Sequence, residues 1–129
     1  MTGQLRVGIA GYGVVGKRRR DVIRAQPGLE TVAVCDRTFA GEGVLDDGVR
    51  HYTHYTRLLE EDLDTLFVCL TNDLAAEVTI AGLDKGLHVF CEKPPGRDLD
   101  DITAVIECER RHPGLKLKYG FNHRYHDSV

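Results

Sequence analysis

Three groups of residues in this 129-residue chain have types and spacing suited to chemistry. Gly11-Tyr12-Gly13-Val14-Val15-Gly16 is a GxGxxG turn that follows the apolar run Leu5 to Ala10 and opens a helical stretch. Asp36 ends a second apolar run, Thr31 to Cys35, and lies 20 residues beyond the last of the three glycines (36 − 16). Strand, glycine turn, helix, strand and terminal acid at that spacing form the βαβ unit that binds a dinucleotide. The first glycine permits the tight turn, the second lets backbone approach a pyrophosphate, and the third lets helix and strand pack closely. Phosphates sit well at the helix N-terminus, where unpaired N–H groups and the helix dipole favour negative charge. The third group, Glu92-Lys93-Pro94, directly follows another apolar run, Leu87 to Cys91. In a doubly wound sheet, ligands bind outside the carboxyl ends of the strands, which is where this tripeptide falls.

The elements that must position these residues alternate between strand and helix signals along the whole chain. That alternation predicts an α/β fold, a doubly wound, mostly parallel sheet with helices on both faces. A helix is expected from Val14 to about Gln26, with Val15, Val22 and Ile23 on its buried face and Pro27-Gly28 as its stop. Residues 37 to 50 lack periodicity and read as a surface loop. A short helix is expected over Tyr55 to Leu63, then a central strand in the run Thr65 to Leu70. Asn72 is placed to cap a helix that Gly86 closes. Asp98 is placed to cap another, with Leu99, Ile102, Val105 and Ile106 facing inward, before a last strand from Leu115 to Tyr119. The dinucleotide-binding unit is expected over residues 1–119, with 120–129 beginning a connection to a second domain.

Composition narrows the function classes. A net charge of −3 gives no global field toward nucleic acid or an anionic membrane surface. No apolar run approaches the roughly 18 residues that span a bilayer. Met1 to Gln4 carries no signal-peptide pattern, and Cys35, Cys69, Cys91 and Cys108 form no CxxC or other metal spacing. Buried, reduced thiols in a cytoplasmic protein are expected. His51 with His54, and His123 with His126, each lack a third ligand of suitable spacing, so no metal site is assigned. The basic run Lys17-Arg18-Arg19-Arg20 reads as a solvated helix face rather than as added potential beside a pyrophosphate.

With the glycine turn, Glu92-Lys93-Pro94 and the closing Gly120-Phe121-Asn122 before Arg124-Tyr125, the chain resembles the N-terminal half of the Gfo/Idh/MocA oxidoreductases. These are relatives of glucose–fructose oxidoreductase and inositol dehydrogenase. The resemblance implies a Rossmann-type fold and a nicotinamide cofactor. It also implies hydride transfer to or from a hydroxyl of a sugar, sugar nucleotide or cyclitol, with substrate held by a further α/β domain. By resemblance, Gly11, Tyr12, Gly13, Val14 and Val15 match the pyrophosphate loop, and Asp36 the acid on the adenosine ribose. Thr71 and Asn72 match a loop beside the cofactor, and Glu92 lines the pocket. Lys93 matches the lysine near the nicotinamide that bonds the reacting hydroxyl. Such a lysine, partly shielded from water, assists proton movement from an alcohol. The chain departs from the family pattern at Asn72, where many members have proline, and at Leu74-Ala75-Ala76, where many have histidine.

Asp36 favours NAD, because a carboxylate repels the 2′-phosphate of NADP. Arg37 either pairs with such a phosphate or faces solvent, so NADP stays possible. The isolated chain is expected to bind cofactor without turnover, since hydride transfer needs a substrate held against the ring. The rival expectation is a stand-alone NAD-sensing module, which needs the glycine turn and Asp36 but has no use for Glu92-Lys93-Pro94. Association into oligomers is possible and is not defined by these residues.

Overall fold

A computed structural model describes residues 4–70, 72–92 and 99–120, with the side chains of 72, 73, 119 and 120 left aside. Strand β1 (Leu5–Ala10) lies at the heart of the sheet, with Val7 to Ala10 fully buried. A strand covered on both faces reads as a near-continuous apolar run, as this one does. It pairs in parallel with β2 (Leu29–Cys35) on one side and with β5 (Thr65–Val68) on the other. Beyond β5 come β6 (His88–Glu92) and β7 (Leu117–Gly120), both parallel. Beyond β2 comes β4 (Arg50–Tyr52), parallel to it, and then the two-residue β3 (Gly43–Val44), the antiparallel edge. The seven-stranded order is β3-β4-β2-β1-β5-β6-β7. The chain therefore winds outward from β1 in one direction, returns, and winds outward in the other. The switch point lies between the carboxyl ends of β1 and β5, the crevice where open α/β sheets bind ligands.

Helix α1 (Val14–Arg24) packs on one face, its Ile23 in a cluster with Val7, Ile9, Val34 and Val49. Helices α2 (Tyr55–Leu58) and α3 (Asn72–Asp84) cover the other face, where Leu58, Ala75, Val78 and Leu83 meet Leu66, Val68, Val89 and Cys91. Helix α4 (Leu99–Arg111) joins the same cluster through the buried Cys108. The predicted doubly wound sheet with helices on both faces is the observed architecture.

Several local expectations are corrected. Residues 37–50 are not only a loop: they contain β3 and lead into β4, turned at Gly48 with φ +93° and tied by Leu45 N–H to Val49 O (2.8 Å). Strands this short carry no readable period, because the neighbouring strand supplies their order. Helix α1 ends at Arg24, and its inward positions are Gly16, Arg20 and Ile23, with Val15 and Val22 exposed. In α4, Val105 and Cys108 are buried, while Leu99 is 75% exposed and Ile106 also faces outward. The second helix is one turn long and stops at Leu58. Asn72 is the first helical residue of α3, and Gly86 closes that helix as expected. Its φ of +88° lets Gly86 N–H reach Leu83 O and Leu87 N–H reach Gly82 O (2.9 and 3.0 Å), the paired bonds of a Schellman cap.

Candidate functional site

The glycine turn sits at the switch point, suspended between both neighbours of β1. Gly11 N–H donates to Cys35 O (2.9 Å), and Cys69 N–H donates to Ala10 O (2.7 Å). Gly11 has φ +96°, and a Cβ there would stand 2.4 Å from Cys69 O, so only glycine fits. A Cβ on Gly16 would stand 2.0 Å from Gly11 O, which brings the first turn of α1 down onto the glycine turn itself. Gly13 differs from both: a Cβ there would meet nothing within 4 Å. That open space lies before the N-terminus of α1, which has Gly13 as N-cap, no capping side chain and no acidic residue in its first turn. The N–H groups of Val14, Val15 and Gly16 have no intrahelical acceptor. Val14 and Val15 are exposed beside it. A cradle of free donors under open space fits the pyrophosphate of a dinucleotide.

Asp36 stands across this turn. Its Oδ2 accepts from Tyr12 N–H (2.7 Å), while Oδ1 accepts from Thr38 N–H (2.9 Å) and the Thr38 hydroxyl (2.7 Å). Burial would raise its pKa, but the Thr38 and Tyr12 bonds, with Arg37 nearby, outweigh that and hold it below the usual carboxylate value. It is therefore a fixed anion with acceptor capacity left on Oδ2. Arg37 is exposed beside it.

Tyr12 organises the other side of the turn. Its ring lies against Phe39 (centroids 6.3 Å apart), which in turn stacks on His51 (4.4 Å), and Lys17 Nζ sits 5.6 Å from the Tyr12 centroid. The Tyr12 hydroxyl accepts from Arg20 Nη1 (2.8 Å), and Arg20 also pairs with Asp47. The basic run is thus split. Lys17 and Arg18 are exposed, as a solvated face requires, but Arg20 is buried and Arg19 reaches inward to Glu92. Charge count alone hides this, because the partners Tyr12, Asp47 and Glu92 come from distant segments.

Glu92, at the carboxyl end of β6, is buried and pairs with Arg19 Nε, whose guanidinium lies 5.0 Å from the Phe90 centroid. Thr71 and Lys93, with Pro94 and the Asp98 cap, fall outside the described residues, as does the side chain of Asn72. The histidine pair His123 and His126 falls outside them too. His51 stacks on Phe39, and His54 Nδ1 accepts from Thr56 N–H at the start of α2, so each ring has a structural task. All four cysteines are free thiols. Burial pushes Cys35 up to about 11 and Cys69 up to about 12, so neither is poised as a nucleophile. One grouping escaped the sequence reading: Asp84, Cys108 and His112 converge where α3 and α4 end.

The model of the oxidoreductase family with an NAD-binding Rossmann fold matches residues 5–121. The chain belongs to the Gfo/Idh/MocA oxidoreductase family. Its domain is the NAD-binding Rossmann fold of that family, and the glycine turn and Asp36 stand within it. An inositol 2-dehydrogenase of Salmonella typhimurium is 33% identical over 128 residues, covering 94% of this chain and 38% of the relative. A D-xylose 1-dehydrogenase (NADP(+)) of Haloferax volcanii is 35% identical over 127 residues, covering 93% of this chain and 37% of the relative. Among solved Gfo/Idh/MocA-like structures, the myo-inositol 2-dehydrogenase of Lactobacillus plantarum superposes with a TM-score of 0.80 at 28% identity. It is matched over 97% of this chain and 38% of its own. The chain thus spans little more than a third of the length of these relatives. No helix among the described residues is long and apolar enough to cross a membrane.

Proposed function

We propose that this chain is the cofactor half of a dehydrogenase that moves a hydride between NAD and a hydroxyl of a sugar, sugar nucleotide or cyclitol. The observation that carries this reading is the Asp36 carboxylate fixed 2.7 Å from Tyr12 N–H, beside the open space over Gly13. Gly11, Tyr12, Gly13, Val14 and Val15 would hold the pyrophosphate. Asp36 would accept from the adenosine ribose hydroxyls, with Arg37 at the rim where a 2′-phosphate would stand. Thr71, Asn72 and Glu92 would line the nicotinamide side. Lys93 would bond the reacting hydroxyl and ease its proton away. The cofactor, when bound, supplies the hydride acceptor, and the protein's part is to orient it and exclude water.

Residues 1–119 form the cofactor domain in this reading, and 120–129 lead toward a substrate domain, which also sets any oligomeric state. The relatives named for inositol and xylose dehydrogenation support polyol or sugar chemistry for the longer protein. NAD is the preferred cofactor, because Asp36 opposes a 2′-phosphate. The four free thiols suit a cytoplasmic location.

Titration calorimetry with NADH on the native chain and on Asp36→Ala tests the reading. Binding that weakens tenfold or more in Asp36→Ala supports it, and equal binding by the two proteins removes its basis. Steady-state polyol oxidation by the 129-residue chain alone would refute the division of labour between two domains.

A further inference from the structure

At the end of α3 and α4, on the helical face remote from the glycine turn, three side chains of different chemistry meet. Asp84 is the last residue of α3. Cys108 lies in the last turns of α4, and His112 follows that helix directly, four residues on from the cysteine. On a helix, positions i and i+4 lie on one face, so Cys108 and His112 point to the same place. Asp84 Oδ1 lies 2.9 Å from His112 Nε2 and 3.4 Å from Cys108 Sγ. The three ligand atoms all lie within 4.8 Å of one another.

We propose that Asp84, Cys108 and His112 bind a borderline-soft divalent transition-metal cation, with zinc the best match, and that the ion clamps the ends of α3 and α4 together. One thiolate, one imidazole and one carboxylate are the donor types zinc takes, at roughly 2.0 to 2.3 Å each. Donor atoms around a tetrahedral ion at those bond lengths stand roughly 3.4 to 3.6 Å apart. The sulfur–oxygen separation already meets this, and the oxygen–nitrogen pair needs to open by about half an ångström. Two further features point the same way. Both helices end here, and the partial negative charge of helix C-termini favours a cation. Cys108 is fully buried while Asp84 is exposed and His112 partly so, which gives the ion an entry path and leaves its fourth position to water.

Among the described residues, the groups near the cluster include Ile80 O, 3.8 Å from Cys108 Sγ, and Arg111, whose Nη2 lies 3.9 Å from Asp84 Oδ1 and whose guanidinium also bears on the Cys108 thiol. Arg111 is exposed and swings into solvent when the ion arrives. On binding, the Cys108 S–H bond breaks, its electron pair goes to the metal, and the proton leaves to water. His112 enters neutral through Nε2.

The test uses the full 129-residue chain, tag-free and stripped with chelator, titrated with cobalt(II) as an optical stand-in for zinc. A thiolate-to-cobalt charge-transfer band saturating at one equivalent, lost in Cys108→Ser and reversed by added zinc, is the expected result. Should Cys108→Ser fail to fold, Asp84→Asn and His112→Asn keep the sulfur and serve instead. Each is expected to weaken cobalt binding at least tenfold and to remove the rise in thermal midpoint that zinc gives the native chain. The absence of a charge-transfer band overturns the proposal. So does a band that survives Cys108→Ser, or cobalt affinity unchanged in both Asp84→Asn and His112→Asn.

Discussion

Arg19, in the second turn of α1, reaches across the carboxyl edge of the sheet and closes on Glu92 at the end of β6. The helix that opens at the glycine turn is thereby tied to the strand that leads into Lys93. Side-chain exposure is 25% for Arg19 and 7% for Glu92, so the carboxylate is the member that depends on its partner. Removing one partner of a buried pair costs more than removing both, because a lone charge stays desolvated. Arg19→Met is expected to lose about 2 kcal/mol of stability, and Arg19→Met with Glu92→Leu to recover part of it. Urea unfolding checks this, and an Arg19→Met midpoint equal to the native one would sink it.

The three glycines of the turn are expected to separate into two behaviours. Gly11→Ala and Gly16→Ala force a methyl onto backbone oxygen at 2.4 and 2.0 Å and should each cost about 3 kcal/mol. Gly13→Ala places its methyl in open space and should cost less than about 1 kcal/mol while weakening NADH binding at least tenfold. Thermal melts beside NADH titrations resolve the two. Native affinity in Gly13→Ala would mean that the pyrophosphate does not lie there.

In the proposed reading, cofactor choice rests on Asp36 and its neighbour Arg37. The native chain is expected to bind NADH at least tenfold more tightly than NADPH, and Asp36→Ser, which keeps Arg37, should narrow or reverse that ratio. Calorimetric titration of both cofactors into both proteins measures it. Tenfold tighter NADPH binding by the native chain would invert the assigned role of Asp36.

Acid sensitivity should centre on Glu61, whose carboxylate accepts from Arg50 Nη2 (2.8 Å) and from the Tyr52 hydroxyl (2.5 Å). The Arg50 bond, despite opposing burial, brings its pKa from an ordinary 4.5 down to about 2. A folded value below the unfolded one means that this stabilisation is complete above pH 4.5 and drains away as pH falls toward 2. Because Arg50 is half exposed, the contribution is about 1 kcal/mol. Glu61→Gln should therefore trail the native chain by that amount at pH 7 and converge with it in acid. A gap that widens below pH 4 would contradict the assignment.

Much of the fold could be read from residues, for a physical reason. Parallel strands buried on both faces announce themselves as apolar runs, as Val7 to Ala10 and Leu66 to Val68 do, and glycine turns mark where they stop. Asp36 was legible because its distance from Gly16 is set by one helix and one strand. Arg20 was not, since its burial depends on Tyr12 and Asp47, which only the folded chain brings within reach. The outward positions of Leu99 and Ile106 were missed likewise. Amphipathic period locates a stripe, but the packing of α4 against α3 chooses Val105 and Cys108 as its centre. Cys108 and His112 did carry a signal, an i,i+4 pair at a helix end, and Asp84 completes the group only through tertiary contact.

The turn is entered from a strand end held on both sides, where Ala10 O accepts from Cys69 N–H and Gly11 N–H donates to Cys35 O, and its Tyr12 N–H is tied to Asp36. Its shape is therefore fixed by the sheet before any ligand arrives. A pyrophosphate meeting it has no loop to order, so the usual entropic toll of folding a segment around a guest is absent. Association should accordingly be a single fast step whose rate depends on encounter rather than on rearrangement.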